Sequence, residues 1–260
     1  MPSIAVITIC FNNLADVEKT CASVDMQTTQ PVEHWIINGS TENDIATWLK
    51  SKPQPHYRKW INERDKGISD AFNKGITNAS AAIIHLLNSG DIYADEKILS
   101  VVEETFLNHP QTQWVSGKIK IKRSGHLIEV GKPFNEKQLY KGMRSVAHPT
   151  WFLRKEVYNR VGLFNLNYSI AMDYDLMCRI KNEPYEFINK TMVVFDDAGV
   201  SSNNYLKSLQ QNIQVYESYF GYSVKCRLWQ LRLKILFYLL QTSFGKFLFS
   251  IKKKAGLANV

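Results

Sequence analysis

Two rhythms of apolar and polar positions alternate through the first ninety residues. "SIAVITIC" (3–10), "VEHWIIN" (32–38), "YRKWIN" (57–62) and "AAIIHLL" (81–87) are short apolar runs of the kind that form buried strands. Between them the apolar positions fall at helical spacing. In "NLADVEKTCASVDMQ" they are Leu14, Val17, Cys21 and Val24, with Asn13 as the expected cap. "TENDIATWLKS" carries acids in its first turn, which suits the helix dipole, and "KGISDAFNKGITNA" is a third helix. Strands alternating with helices predict a parallel sheet covered on both faces, with ligands bound beyond the carboxyl ends of the strands. Those ends read "ICFNN", "INGSTEN", "NERDKG" and "LNSGD". All four are polar, so one rim would gather them.

Past Asp91 the pattern loosens. "ADEKILSVVEETFLNH" predicts a helix, and "QWVSGKIKIKRSGHLIEV" two strands around a turn at Ser124-Gly125. A polar loop through Arg144 follows, then "AHPTWFLRKEVYNRVG" and "IAMDYDLMCRI", the last part of which looks helical. With 260 residues, 45% of them hydrophobic, the chain can build one large α/β core. Cys10, Cys21, Cys178 and Cys226 form no CxxC pair, and the N-terminus shows neither a basic leader nor a small-residue cleavage site. A cytosolic protein without disulfides is therefore expected.

Charge changes the picture only at the end of the chain. Eight of the 32 Lys and Arg residues lie from Lys225 onward, where there is no Asp or Glu, so the first 224 residues balance 24 cations against 24 anions. A nucleic-acid-binding domain would carry its basic face on the folded body, so that class is disfavoured. "KCRLWQLRLKILFYLLQTSFGKFLFSIKKK" has apolar runs too short to span a bilayer. It reads as an interfacial helix with snorkelling cations, meeting an anionic membrane surface. The competing reading packs this helix on the domain or in a homodimer.

Several polar groups are candidates for chemistry. Asp91 in "LNSGD" reads either as ordinary turn chemistry or as a ligand for Mg²⁺ or Mn²⁺, with Asn88 as a neutral oxygen donor. In "NERDKGISDAFNKGI", Asp65, Lys66 and Gly67 open a helix, and Asn73 and Lys74 lie two turns in. Asp65 either caps that helix or contacts a ribose or base. Asn38 stands at a strand end, where it either closes a loop or reads a nucleobase. Asp173 and Asp175 precede or open a helix and, two residues apart, cannot point the same way. One is expected to complement the dipole and the other to work as a carboxylate. His148, before a proline and so on extended backbone, is either structural or catalytic, and a lone His is more often structural. No GxGxxG, GxxxxGKS, HExxH or GxSxG occurs.

Taken together and in order, "VITICFNN", "INGSTEND", "ERDKGISDAFNKGI", "LNSGD", "HPTWF" and "AMDYDLMCRI" resemble a bacterial family 2 glycosyltransferase of the GT-A fold. The resemblance covers roughly residues 3–200 and is nearest to the polysaccharide-cluster type, including colanic acid and O-antigen transferases. It implies a mostly parallel nucleotide-binding sheet flanked by helices, ending in the helical basic tail. Residues 1–205 would form the transferase domain, with 1–95 the nucleotide-sugar half and 96–205 the acceptor half. Residues 206–260 would form the membrane-associating segment. It also implies roles. Thr8, Phe11 and Asn12 match the first nucleotide-contacting loop, Asn38 the base-reading position, and Asp65, with Lys66, Gly67 and Asn73, the nucleoside side. Asn88 and Asp91 fall at the metal motif. Asp173 matches the catalytic base, with Met172 where a glutamate is usual, and His148 and Asp175 fall on the acceptor side.

The implied reaction is an inverting transfer from a nucleoside diphosphate sugar, UDP-linked, to a glycan or polyprenyl-diphosphate-linked acceptor at the cytoplasmic face of the plasma membrane. The absence of QxxRW favours addition of a single sugar. The chemistry agrees with one base, because a nucleoside diphosphate leaves as a stabilised anion and a metal can replace the acid that a glycosidase needs. A sugar nucleotidyltransferase and a catalytically inactive membrane scaffold are the alternatives.

Overall fold

Six of the seven residues of β1 (Ile4–Cys10) are buried, as a parallel strand covered on both faces requires. The computed structural model describes residues 2–123, 126–143, 146–195, 204–245 and 247. In it β1 pairs in parallel with β2 (Glu33–Asn38) on one side and β4 (Ile83–Leu86) on the other, and β3 (Arg58–Asn62) adds to β2. The crossovers are α1 (Leu14–Asp25), α2 (Asp44–Ser51) and α3 (Ile68–Asn78). These elements lie where the apolar rhythm expects them, give or take a few end residues. Helix α3 sits so close to β1 that a Cβ on Gly75 would fall 2.3 Å from Ile7 Cγ2. Overpacking of this kind costs about 1–3 kcal/mol, which holds position 75 to glycine.

The second half is mixed. It comprises β5 (Ile92–Tyr93), α4 (Ile98–Asn108), β6 (Trp114–Arg123), β7 (His126–Val130), β8 (Phe152–Arg154), α5 (Lys155–Val161), α6 (Met172–Ile180) and β9 (Tyr185–Phe195). The sheet order is β3-β2-β1-β4-β8-β6-β9-β5, with β7 paired to β6. Strand β8 runs antiparallel between β4 and β6, and β9 runs parallel to β6. The parallel first half of the sheet thus passes into a second half with strands in both directions. The β6–β7 hairpin is as expected, although its turn at Ser124-Gly125 lies outside the described residues, as does Arg144. Strands β5, β8 and β9 are not anticipated by the sequence pattern. β5 and β8 are two and three residues long, and β9 mixes charged with apolar positions.

Part of the tail packs on the domain, one of its two expected roles. Helix α7 (Tyr205–Phe220) buries Leu209, Gln211 and Val215. The Gln211 side-chain oxygen accepts from the Ile170 and Ala171 N–H groups, each at 3.0 Å, and so satisfies the start of α6. A domain boundary at 205 therefore falls just before a helix that clamps the body. Helix α8 (Val224–Gln241) buries only Cys226, Gln230 and Leu233 and leaves Leu228, Leu231 and Ile235 exposed. An inner stripe packs on the domain while an outer apolar face stays open. No helix among the described residues is long and apolar enough to cross a membrane. Lys246 and Lys252 to Lys254 lie outside the described residues.

His34 and His85 are fully buried within the parallel sheet. Burial depresses both, His85 to about 3 and His34 well below its ordinary value of 6.5. An unfolded imidazole binds a proton near pH 6.5, whereas these two stay neutral far below it. The unfolded state therefore takes up more protons in that window, and stability falls as pH falls through it. The urea midpoint is expected to drop between pH 7 and pH 5, with a shallower drop in His85→Gln. An unchanged midpoint in the parent protein would contradict the neutral assignment.

Candidate active site

A cleft of about 770 Å³ opens at the carboxyl ends of β1 and β4. Asp16, Asp65, Asp91 and Asp173 all reach it, and no Lys or Arg is found among its described lining residues. Four carboxylates without a cationic side chain favour binding a cation over binding a bare anion.

The Asn88–Asp91 turn is fixed from α1. Ser89 N–H donates to the Ile9 carbonyl at 3.2 Å, which keeps the chain beside β1 after β4 has ended. Gly90 then turns at φ 96°, the left-handed region that favours glycine. Its N–H donates to Thr20 Oγ1 at 2.9 Å, while that hydroxyl donates to the Asp91 carbonyl at 2.8 Å. Asp91, expected on the rim, is in fact only 3% exposed. Asn88 lines the cleft, and its Oδ1 is enclosed with no hydrogen-bond partner. A carboxylate and an amide oxygen are hard donors that suit Mg²⁺ or Mn²⁺. No group of three or more His, Cys, Asp or Glu able to hold a metal occurs among the described residues, so an ion here would depend on substrate oxygens as well.

The nucleotide-side residues divide. Phe11 is 60% exposed at the cleft mouth. Asp65 lies against Gly39, where a Cβ would come within 1.8 Å of Asp65 Oδ2. Its Oδ1 accepts the Gly67 N–H at 2.9 Å, and Gly67, at φ 112°, is the residue that caps α3. Lys66 is exposed beside it, its N–H donated to Asp70 Oδ2. The other four expected residues are spent on structure. Thr8 is fully buried against His34, 3.0 Å away. Asn12, at φ 50°, accepts from the Thr41 and Glu42 N–H groups and so ties the β1–α1 loop to the β2–α2 loop. Asn38 donates to Asn62 Oδ1 at 2.9 Å. Asn73 bonds both backbone groups of Phe164 at 2.9 Å, anchoring α3 to the segment before α6. None of these four lines the cleft. Asn13 is also diverted from the expected side-chain cap: it donates to Ser89 Oγ and accepts from Phe11 N–H.

On the acceptor side, Asp173 and Asp175 both fall in the first turn of α6 and point apart. Asp173 lines the cleft, with Oδ1 enclosed and unpartnered and Oδ2 3.6 Å from His148 Nδ1. Burial raises its carboxyl above the usual range, and a charge on His148 would oppose that rise. His148 is buried among Phe72, Trp151 and Phe164, and burial lowers its own pKa, so it sits beside Asp173 as a neutral ring. Asp175 lies away from the cleft. It accepts from Arg179 at 2.8 Å and from the Tyr219 hydroxyl at 2.8 Å, joining α6 to α7. Sequence reasoning missed Asp16, whose place in the first turn of α1 reads as a dipole complement. Its carboxylate lies close to Gly90, where an added Cβ would be 3.6 Å from its Cγ.

Residues 5–162 match the family described as Glycosyl transferase family 2. An uncharacterized glycosyltransferase of Mycobacterium tuberculosis is 28% identical over 207 residues, covering 78% of each chain. A PGL/p-HBAD biosynthesis glycosyltransferase of Mycobacterium bovis is 24% identical over 203 residues, covering 76% of this chain and 75% of the relative. Among solved structures, a mannosyltransferase from Pyrobaculum calidifontis in complex with GDP-Man and Mn²⁺ superposes with a TM-score of 0.61 at 14% identity, covering 99% of this chain and 81% of that one. S. aureus TarS 1–349 in complex with UDP-GlcNAc gives 0.59 at 14% identity, covering 84% and 67%. The chain spans 40% of the longer TarS chain. The fold is the GT-A fold.

Asp173→Asn and Asp175→Asn should fail in opposite ways. The first is expected to cut turnover roughly 10²-fold or more. Its urea midpoint at pH 7 should be no lower, because burial already disfavours the ionised acid. The second should lose about 1–3 kcal/mol of stability, since Arg179 and the Tyr219 hydroxyl lose the charge of a buried acceptor that ties α6 to α7, with turnover per folded molecule nearly unchanged. A dead Asp175→Asn beside a normal Asp173→Asn would move the base by two residues.

Proposed function

The chain belongs to glycosyl transferase family 2, and on that footing we propose that it moves a sugar from a UDP-linked donor to a hydroxyl of a glycan acceptor with inversion of the anomeric centre. The observation that carries this reading is the meeting of the Asn88–Asp91 turn and Asp173 at one cleft. Asp173 takes the acceptor proton. Its raised pKa makes it a stronger base than an exposed aspartate. His148 stands beside it, with Nδ1 3.6 Å from Oδ2. Phe72, Ile170 and Met172 form an apolar wall that limits water near the reacting atoms. Asp91 and Asn88 would hold Mg²⁺ or Mn²⁺, which when bound neutralises the diphosphate as it departs. Phe11 offers a ring face to the base and Asp65 a carboxylate to the nucleoside. The nucleotide sugars named with TarS and the mannosyltransferase, and the Mn²⁺ of the latter, support this assignment. One base and direct displacement are sufficient for inversion.

Asp91→Asn keeps the volume of a buried side chain and removes its charge. Metal-dependent stabilisation by UDP-sugars should be lost in a thermal-shift titration, as should Mn²⁺-stimulated donor hydrolysis. Binding raises apparent stability by RT ln(1 + [L]/Kd), so the two readouts report on one equilibrium and its chemistry. Donor hydrolysis by the parent protein that survives EDTA unchanged would defeat the metal assignment.

The acceptor, in this reading, is lipid-linked and belongs to exopolysaccharide, capsule or O-antigen synthesis, with the enzyme peripheral on the cytoplasmic membrane face. Support comes from α8, whose exposed Leu228, Leu231 and Ile235 flank a cationic surface. Replacing those three with Gln touches none of the residues that α8 buries. Flotation with anionic vesicles should fall several-fold while unfolding stays unchanged; equal flotation would remove the membrane role of this face.

A further inference from the structure

Two stripes adjoin on α8. One is the apolar face just described. The other, at spacings of four and three, carries Lys225, Trp229 and Arg232. Trp229 packs edge-on against Tyr140, with ring centroids 6.0 Å apart. Tyr140 and Lys141 belong to the short 3-10 turn Glu136–Lys141 beneath α8. Three cations gather around this ring pair. Lys225 Nζ lies 4.1 Å from the Tyr140 centroid, Lys141 Nζ 4.9 Å from that of Trp229, and Arg232 Cζ 5.0 Å from that of Trp229.

None of these cations forms an ion pair among the described residues, although Arg227 and Lys181 nearby are taken by Glu217 and Glu136. The Trp229 indole N–H is enclosed and has no acceptor. Ring faces attract each cation but do nothing for the repulsion among three of them. An anion with several oxygens would relieve that repulsion and accept the indole N–H. Lys141 and Gly142 also share a small cavity with Met143 and Val146, and both of the latter line the catalytic cleft.

Resting on the lipid-linked acceptor proposed above, we infer that Lys141, Lys225, Arg232 and Trp229 bind the diphosphate of that acceptor. Its polyprenyl chain then lies along Leu228, Leu231 and Ile235, and its glycan crosses Met143 and Val146 into the cleft. A diphosphate fits better than a phospholipid headgroup because three cations without an ion pair among the described residues surround one pair of rings. A single lipid phosphate would leave most of that charge unanswered.

The test uses the full chain and three vesicle preparations based on phosphatidylcholine: plain, doped with a long-chain polyprenyl diphosphate, and doped with phosphatidylglycerol to the same total charge. The parent protein should bind the polyprenyl diphosphate vesicles at least tenfold more tightly than the charge-matched ones, and inorganic diphosphate should compete. The combined Lys141→Gln, Lys225→Gln, Arg232→Gln variant should lose that preference, with donor hydrolysis and the unfolding midpoint retained. Trp229→Phe should weaken it several-fold without changing the charge. Equal binding to the two charged preparations, or an undiminished preference in the combined variant, overturns the site. The basic residues beyond Lys234 are the same in parent and variant and cancel. If the parent protein hydrolyses no nucleotide sugar, the transferase reading fails separately, since the vesicle comparison does not depend on donor.

Discussion

A neutral imidazole joins the two sides of the cleft. His85 stacks on Phe152 at 3.8 Å and has both ring nitrogens engaged. Nε2 is 2.9 Å from the Pro149 carbonyl and Nδ1 is 2.8 Å from the Tyr93 hydroxyl. A carbonyl can only accept, so Nε2 carries the proton and Nδ1 receives the Tyr93 O–H. Tyr93 follows Asp91 by two residues, and Pro149 follows His148 directly. The ring is therefore a strut between the turn that would face the diphosphate and the turn that flanks the base. It sits in β4, where the parallel half of the sheet meets the antiparallel β8. A charged ring would donate from both nitrogens and turn the Tyr93 hydroxyl into an acceptor.

The parallel half was readable because its physics is local. Buried parallel strands must be apolar nearly throughout, and α1 to α3 show their inner faces as periodic apolar positions. The mixed half is held by long-range contacts that leave little trace in a sequence window. Gln211 satisfies α6 from 40 residues away, and Asn73 bonds Phe164 across 91. β8 has only three residues, and its place is set by β4 and β6 on either side.

The same distinction explains the site. Asp65, Asn88 and Asp91 reach the cleft as the strand-end argument expects, because the chain reverses there and polar groups collect at the rim, and His148 and Asp173 join them from later segments. Asn12, Asn38 and Asn73 share that rim or its supports but carry amides, which donate and accept at once. Loops that leave a sheet need such groups to pair their own N–H and C=O, and these amides are used in that way. A carboxylate only accepts, so it more often stays turned to the opening. Asp175 is the exception, drawn inward by Arg179 and Tyr219.

All four cysteines are buried, and burial pushes the thiols of Cys10, Cys21 and Cys178 up to about 12 and that of Cys226 to about 11. Thiolate, not thiol, is the reactive form, so the folded protein offers almost none to an electrophile at neutral pH. The native chain is thus its own unreactive background for chemical labelling. A single cysteine placed on the outer face of α8 would take up a fluorophore or spin label alone, and that reporter would sense whether it sits in water or among acyl chains without any native residue being removed.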